Sequence, residues 1–464
     1  MNFSFDNSYA RLPERFYARL PPTAVAEPKM VRFNSALAAE LGIDPGPQAA
    51  KIFAGNLVPD GADPLAMAYA GHQFGQFVPQ LGDGRAILLG EVIDRNGKRR
   101  DIQLKGSGVT PFSRRGDGRA ALGPMLREYI IGEAMTGLGI PSSRALAVVA
   151  TGEAVYRETA LPGAVLTRVA ASHLRVGTFQ FFAARRDLDA VRRLADYAIA
   201  RHFPEISGYP AFFEKVVRAQ AALVAQWLLV GFVHGVMNTD NMSISGETFD
   251  YGPCAFIDAY HPDAVFSSID QFGRYAYGQQ PRVAQWNLAR LAECLLPLFA
   301  DDEAKAVEIA EETLDAFPTA FEAAYTDGLR KKLGLATTQE GDLVLARELL
   351  TLMASEQADF TLTFRRLAEG RETEMTGFED WLVRWRQRQD QDDDAQRAMM
   401  LAANPAVIAR NHLVEEALAA AASGDLAPFD ALVAALSDPF AGRDDRYAQP
   451  PPAGQQPYVT FCGT

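Results

Sequence analysis

The sequence predicts an α+β protein in two unequal parts, a β-rich first third and a mostly helical remainder. Three observations predict it. Asp94-Arg95-Asn96-Gly97, a tight-turn signal, separates two apolar runs, because Asn-Gly tolerates the positive φ angles of a hairpin. Further strand-like runs continue to about residue 170, and after about 175 long stretches of helical period take over.

Taken in order, residues 1–50 mix aromatic and polar side chains around Leu20-Pro21-Pro22 and read as an extended lead-in with a short helix near Val31–Leu41. Arg85–Ile93 and Asp101–Lys105 form the hairpin, followed by a Gly- and Arg-rich loop, Gly106–Arg119. An amphipathic helix over Ala120–Leu138 is closed by Gly139 and Pro141. Strands follow at Ala145–Ala150, Ala154–Glu158 and Ala164–Val169. Helices are predicted at Leu188–His202, Phe212–Val233, Val283–Phe299 and Ala304–Lys332, with one β-type break at 241–258 turning at Ser245-Gly246. The chain to about 437 is mostly helical, Asp390–Asp394 is a solvated acidic loop, and Ala448–Gly454 is extended. The implied organisation is an N-terminal extension (1–75), a β-rich lobe (76–172), a helical lobe (173–440) and an extended tail (441–464).

Composition bounds the function. A chain of 464 residues, 48% hydrophobic, can bury large cores, on the order of three domain-sized units or two lobes with extensions. A net charge of −13 argues against gripping nucleic acid or an anionic membrane through a global field, while leaving room for a local basic pocket. Cys254, Cys294 and Cys462 are too few and too scattered for a disulfide framework, and no Cys/His cluster has zinc spacing. The first residues show no basic-then-apolar leader, and the most apolar run, Ala221–Met237, contains Gln226 and His234, so a cytoplasmic protein without membrane spans is expected.

Three clusters carry chemistry. Gly82-Asp83-Gly84-Arg85 recurs as Gly116-Asp117-Gly118-Arg119 after Arg114-Arg115. Glycines let main-chain N–H groups approach an anion, and arginine pairs with phosphate in a fork. With Arg127 these arginines suggest an anion pocket. Lys105 ends a strand and is followed by a helix bearing Glu128 and Glu133. That order resembles kinases, where such a lysine holds nucleotide phosphates and a helix glutamate aligns it. His234–Asn241, then Asp250-Tyr251-Gly252, resembles a kinase catalytic loop and metal-binding Asp-x-Gly. Aminoglycoside- and choline-type kinases read His-Gly-Asp there, with an Asn five residues on. Here Val236 stands in the Asp position, Asn241 keeps its place, and a carboxylate appears instead at Asp240. His72 and His234 read as structural hydrogen-bonders.

Together these residues resemble the selenoprotein O family, protein adenylyltransferases on a pseudokinase fold. The text that carries the likeness is Ala70–Gly75, Gln80–Arg85, Gln103–Phe112, Gly116–Arg119, Asn238–Asp250, Gly273-Arg274-Tyr275, Gln279-Gln280-Pro281 and Tyr458–Cys462. The resemblance implies a protein-kinase-like two-lobed fold. It also implies an ATP bound with its α-phosphate facing the acceptor, and AMP transfer to a Ser, Thr or Tyr hydroxyl with loss of pyrophosphate. On this sequence it assigns Gly82, Gly84, Arg85, Lys105, Glu128, Asp117, Gly118, Arg168, Arg175 and Asp250 to the nucleotide. Asp240 becomes the proton acceptor, and Asn241 and Asp250 become ligands of Mg²⁺ or Mn²⁺. It further implies a redox role for Cys462, by a disulfide to an active-site loop in which Cys254 is the cysteine at hand. Two other readings stay open: a kinase moving the γ-phosphoryl group with Asp240 as base, and a non-catalytic nucleotide-binding scaffold.

Overall fold

The computed structural model describes residues 3–390, 392–442, 446–452, 458 and 460. Its centre is one antiparallel sheet built from β1 (Tyr17–Arg19), β2 (Lys29–Phe33), β3 (Leu65–Met67), β6 (Ala86–Ile93), β7 (Arg99–Lys105), β9 (Arg144–Tyr156) and β10 (Ala160–Ala170), in the order β1-β3-β6-β7-β10-β9-β2. Short β4 (Gly71–Gln73) and β5 (Gln76–Val78) form a separate hairpin, and β8 (Ala120–Ala121) pairs with β10. The segment read as an extension thus supplies β1, β2 and β3, covering both sheet edges that would otherwise present unpaired backbone.

Strand alternation sorts the side chains. Ile102, Leu104, Val165 and Val169 bury on one face against α1 (Ser35–Leu41) and α2 (Ala49–Phe53). Gln103, Lys105 and Arg168 therefore share the other face, that of α3 (Leu122–Gly137). The β6–β7 hairpin closes on the predicted turn: the Asp94 carboxylate accepts from Asn96 and Lys98 N–H, and Gly97 has φ 75°.

The helical remainder comprises α4 (Val176–Ala183), α5 (Leu188–His202), α6 (Tyr209–Leu229), α7 (Gln280–Phe299), α8 (Glu303–Lys332), α9 (Asp342–Ser355), α10 (Phe360–Glu369), α11 (Glu379–Arg388), α12 (Asp393–Ala403), α13 (Asn411–Ala422) and α14 (Ala427–Leu436). Asp187 and Asp302 cap α5 and α8 by accepting from Ala190 and Lys305 N–H. One large apolar core joins α3 and the α3 face of the sheet to these helices. Among the described residues no helix is long and apolar enough to cross a membrane.

Several expectations need correction. Val31–Leu41 is not one helix: its first residues belong to β2, and α1 begins after Asn34, whose side chain caps it. α3 begins at Leu122, because Ala120 and Ala121 first pair with β10. The strands at 145–150 and 154–158 are one long strand, β9, with Gly152 at φ 73° absorbing the irregularity. Ser245-Gly246 turns no strand pair. The paired strands are β11 (Phe232–Val233) and β12 (Ala255–Phe256), so residues 234–254 form a longer loop. Asp392 caps α12, so the acidic run is partly helical rather than wholly a loop.

Candidate active site

Where β7 ends, the strand face set by alternation meets α3. Lys105 Nζ donates to Glu128 Oε2 at 2.7 Å and to Asp250 Oδ1 at 2.6 Å. Arg168 on β10 donates Nε to Glu128 Oε1 at 2.7 Å and Nη2 to Asp250 Oδ1 at 3.0 Å. The register Arg168↔Gln103 sets the guanidinium beside the lysine. Two cations and two anions thus close a ring in the interior. Burial works to raise the carboxyl pKa values, but the charges of Arg168 and Lys105 outweigh it and hold Glu128 below its ordinary value. Lys105 and Arg168 hold Asp250 well below its own. Asp250 sits at φ 66°, unusual outside glycine and common where a site stores backbone strain. Glu133, the other candidate partner of Lys105, instead pairs with Arg144.

Arg175 is fully buried at the start of α4. Its Nε donates to His173 O and its Nη1 to Asp240 O, and its guanidinium lies 4.1 Å from the Tyr69 ring and 4.9 Å from Phe249. Among the described residues it makes no ion pair, so its charge is available to an anion. The linker from β10 to α4 has five of its main-chain donors already bonded. The N–H groups of Ala171, His173, Leu174, Arg175 and Val176 go to Glu247, Asp101, Ser172, Thr178 and Met242 O.

Asp240 lies in a buried turn after α6. Gln73 Nε2 donates to its Oδ2 at 3.2 Å, while its Oδ1 has no partner. Burial raises its pKa from 3.8 to about 6, well into the range of a working base. The β4–β5 hairpin is fastened over it: His72 N–H donates to Thr239 Oγ1, and Phe74 N–H and Tyr275 OH donate to Asn238 Oδ1. Gly71 has to be glycine here, since a Cβ would come within 2.4 Å of Asp240 Oδ1.

A cavity of 460 Å³ gathers these groups. Its walls include Gly82–Arg85, Lys105, Arg114–Arg119, Arg157, Arg168, Arg175, Asp240 and Asp250. Asp117 is ion-paired with Arg157, and Gly118, at φ 69°, packs so closely on Gly108 that a Cβ would lie 2.1 Å from its carbonyl carbon. Ser113 and Thr110 hydroxyls donate to Gly84 O and Asp83 O, bolting the two glycine loops together. Asn241 donates Nδ2 to Val236 O, which keeps its Oδ1 as an acceptor. Asn241 lines a second cavity of 870 Å³ that shares Gln73, Arg85, Lys105, Asp240 and Asp250 with the first. Among the described residues no three His, Cys, Asp or Glu side chains are placed to hold a metal. The donors present for one are oxygens of Asp250 and Asn241, a sparse hard set that suits Mg²⁺ when phosphate completes the shell.

Of the arginines grouped by sequence, Arg127 departs: it pairs with Glu415 and donates to Cys254 O, away from the phosphate-type cavity. Tyr69, Gln73, Asp83 and Gln103 line that cavity without having been singled out as site residues. Only Gln103 had a usable signal, two residues before Lys105 on the same strand face. Asp83, buried with its pKa raised to about 6, accepts from Met67 N–H and Gln103. His72 bonds Gln180 and His234 bonds Phe249 O, as structural hydrogen-bonders do. Cys254 is buried, and Cys462 lies outside the described residues.

Comparison with known proteins agrees with the geometry. The family model "Protein adenylyltransferase SelO" matches residues 1–437. A "Protein nucleotidyltransferase YdiU" of Bradyrhizobium diazoefficiens is 61% identical over 489 residues, covering 100% of both chains, and one of Methylorubrum extorquens is 60% identical over 494 residues, covering 100% of this chain and 99% of its own. The chain belongs to the SelO family of protein adenylyltransferases and is a nucleotidyltransferase enzyme.

Proposed function

We propose that the protein transfers AMP from ATP to Ser, Thr or Tyr hydroxyls of proteins and releases pyrophosphate, on a kinase-like two-lobed fold whose lobes join near residue 172. The observation that carries this reading is the interior of the first cavity. Its lining holds the buried cations Arg168 and Arg175, and the main-chain N–H groups of Ala171, His173, Leu174, Arg175 and Val176 in the adjoining linker are already bonded within the protein. Such a lining suits phosphate oxygens and not a heterocycle. In this reading the triphosphate runs along these cations with its α-phosphate beside Asp240, whose main-chain oxygen accepts from Arg175.

In this reading Lys105, aligned by Glu128, and Arg85, Arg168 and Arg175 neutralise the phosphates. Gly82, Gly84, Asp117 and Gly118 shape the loops that enclose them. Asp240 receives the acceptor proton through Oδ1 as the acceptor oxygen bonds to the α-phosphorus and the bond from that phosphorus to the α–β bridging oxygen breaks, that oxygen leaving with pyrophosphate. Base assistance contributes roughly 10²–10⁴-fold, the rest coming from alignment and preorganised charge. Asn241 and Asp250 would hold Mg²⁺ or Mn²⁺, which when bound adds charge neutralisation at the phosphates. Asp250→Ala is expected to abolish transfer. Activity equal to the unsubstituted chain would remove the metal assignment.

A γ-phosphoryl transferase would need the γ-phosphate beside Asp240, and Val236 in the position of the ordinary phosphotransfer carboxylate argues against it.

A further inference from the structure

The second cavity is lined differently from the first. Beside the groups the two share, its wall carries an apolar set, Phe74, Met125, Val236, Ile269 and Leu418, among polar residues that include Arg127 and Glu415. One side is the segment following β12. Asp270 fixes it by accepting Arg274 N–H at 2.9 Å and Tyr275 N–H at 2.8 Å, and Ser267 is bridged to Thr460. Tyr275 in turn is bonded to Asn238, next to the Asp240 turn. On this held segment Ile269 is 56% and Phe272 97% exposed. Single exposed apolar residues are ordinary on a surface. Here two lie three residues apart on one segment, and Ile269 is in the wall of a cavity that leads to a buried, unpartnered carboxylate oxygen of Asp240.

We infer that this cavity, with Ile269 in its wall and the exposed Phe272 three residues further on, docks the acceptor protein, taking a large apolar side chain that lies within a few residues of the hydroxyl. The inference rests on the transferase reading above. The arginine-lined cavity accommodates the triphosphate, which leaves the apolar one to the acceptor. The second cavity meets the first at Asp240, which lines both, and no described residue of the chain covers Phe272. Burying one phenyl ring accounts for a tenfold or greater gain in acceptor affinity.

The test compares the full chain with Phe272→Ser, Ile269→Ser and the double variant, and with Phe272→Leu as the conservative control. Four quantities are read with Mg²⁺ present: thermal unfolding, association state by sedimentation, affinity for a non-hydrolysable ATP analogue, and transfer of α-labelled AMP to proteins of a cell extract. The expected result is a tenfold or greater loss of transfer in the double variant. Phe272→Leu stays within threefold, analogue affinity stays within twofold, and the unfolding temperature does not move. Transfer within twofold in the double variant overturns the inference. So does a parallel loss of analogue affinity, which would place the nucleoside there, or a change of association state, which would place a second copy there. Absence of α-label on protein with the unsubstituted chain, analogue binding being intact, overturns the transferase reading and this inference with it.

Discussion

Replacing Asp240 by asparagine separates catalysis from stability, because the burial that suits the carboxylate to the proposed role of base also makes it a cost to the fold. Burial raises its pKa from 3.8 to about 6. A group whose folded pKa is raised adds stability while protonated and loses it as pH climbs through the folded value. The native state is therefore penalised in full above about pH 6 and not at all below about pH 4. Two pKa units correspond to about 3 kcal/mol at neutral pH. The asparagine side chain would keep the volume and the Gln73 contact without the charge. For a chain of 464 residues, about 3 kcal/mol corresponds to a rise of about 3 °C in unfolding temperature. Scanning calorimetry of both proteins from pH 4 to 8 reads this directly. The expected result is curves that coincide near pH 4 and separate up to about pH 6, with transfer activity lost at every pH. A gap independent of pH, or a less stable Asp240→Asn protein at pH 8, would refute the idea of a desolvated carboxylate.

Other consequences follow from the same geometry. Transfer by the unsubstituted enzyme should fall as pH drops through about 6, where Asp240 takes up its proton, and a flat pH–rate profile from 5 to 8 would speak against Asp240 as base. Lys105→Met leaves Glu128 and Asp250 facing Arg168 alone. It should therefore lower both ATP affinity and stability, by about 3–5 kcal/mol for the broken buried pair, in calorimetric titration and melting. Arg175→Met should weaken ATP far more than AMP, about tenfold or more for one charge-assisted bond, because only ATP carries the β- and γ-phosphates that the proposal sets against the cavity's cations. Gly71→Ala forces Asp240 to move and should cost about 10²-fold in turnover while nucleotide affinity stays within a factor of about two.

Much of the site was legible because it lies on regular elements. Lys105 and Glu128 are 23 positions apart, yet strand alternation and the helix after it bring them to 2.7 Å. The β6–β7 hairpin was legible for the same reason, since its turn chemistry is local. Arg168 and Arg175 came from the family resemblance alone. What marks them is physical and non-local: one stands opposite Gln103 across a strand pair, and the other is buried against Tyr69 and Phe249 without an ion partner. Gln73 was not singled out because the β4–β5 hairpin has three-residue strands and gets its position from Asn238, Thr239 and Tyr275, 164 to 201 positions away. The edge strands β1–β3 escaped notice likewise. They are short, and the sheet they complete is set by later sequence. Val236 was the most informative single residue. By removing the ordinary phosphotransfer carboxylate it directed attention to Asp240, which the structure places, buried and half unpartnered, beside the arginine-lined cavity.

The central claim is that the phosphorus attacked is the α one. The direct measurement incubates the enzyme with Mg²⁺, a cell extract and ATP labelled at either the α- or the γ-phosphate, and then counts protein-bound label. The account predicts α-label on protein and γ-label in released pyrophosphate alone. Protein-bound γ-label without α-label would contradict it and make Asp240 the base of a kinase.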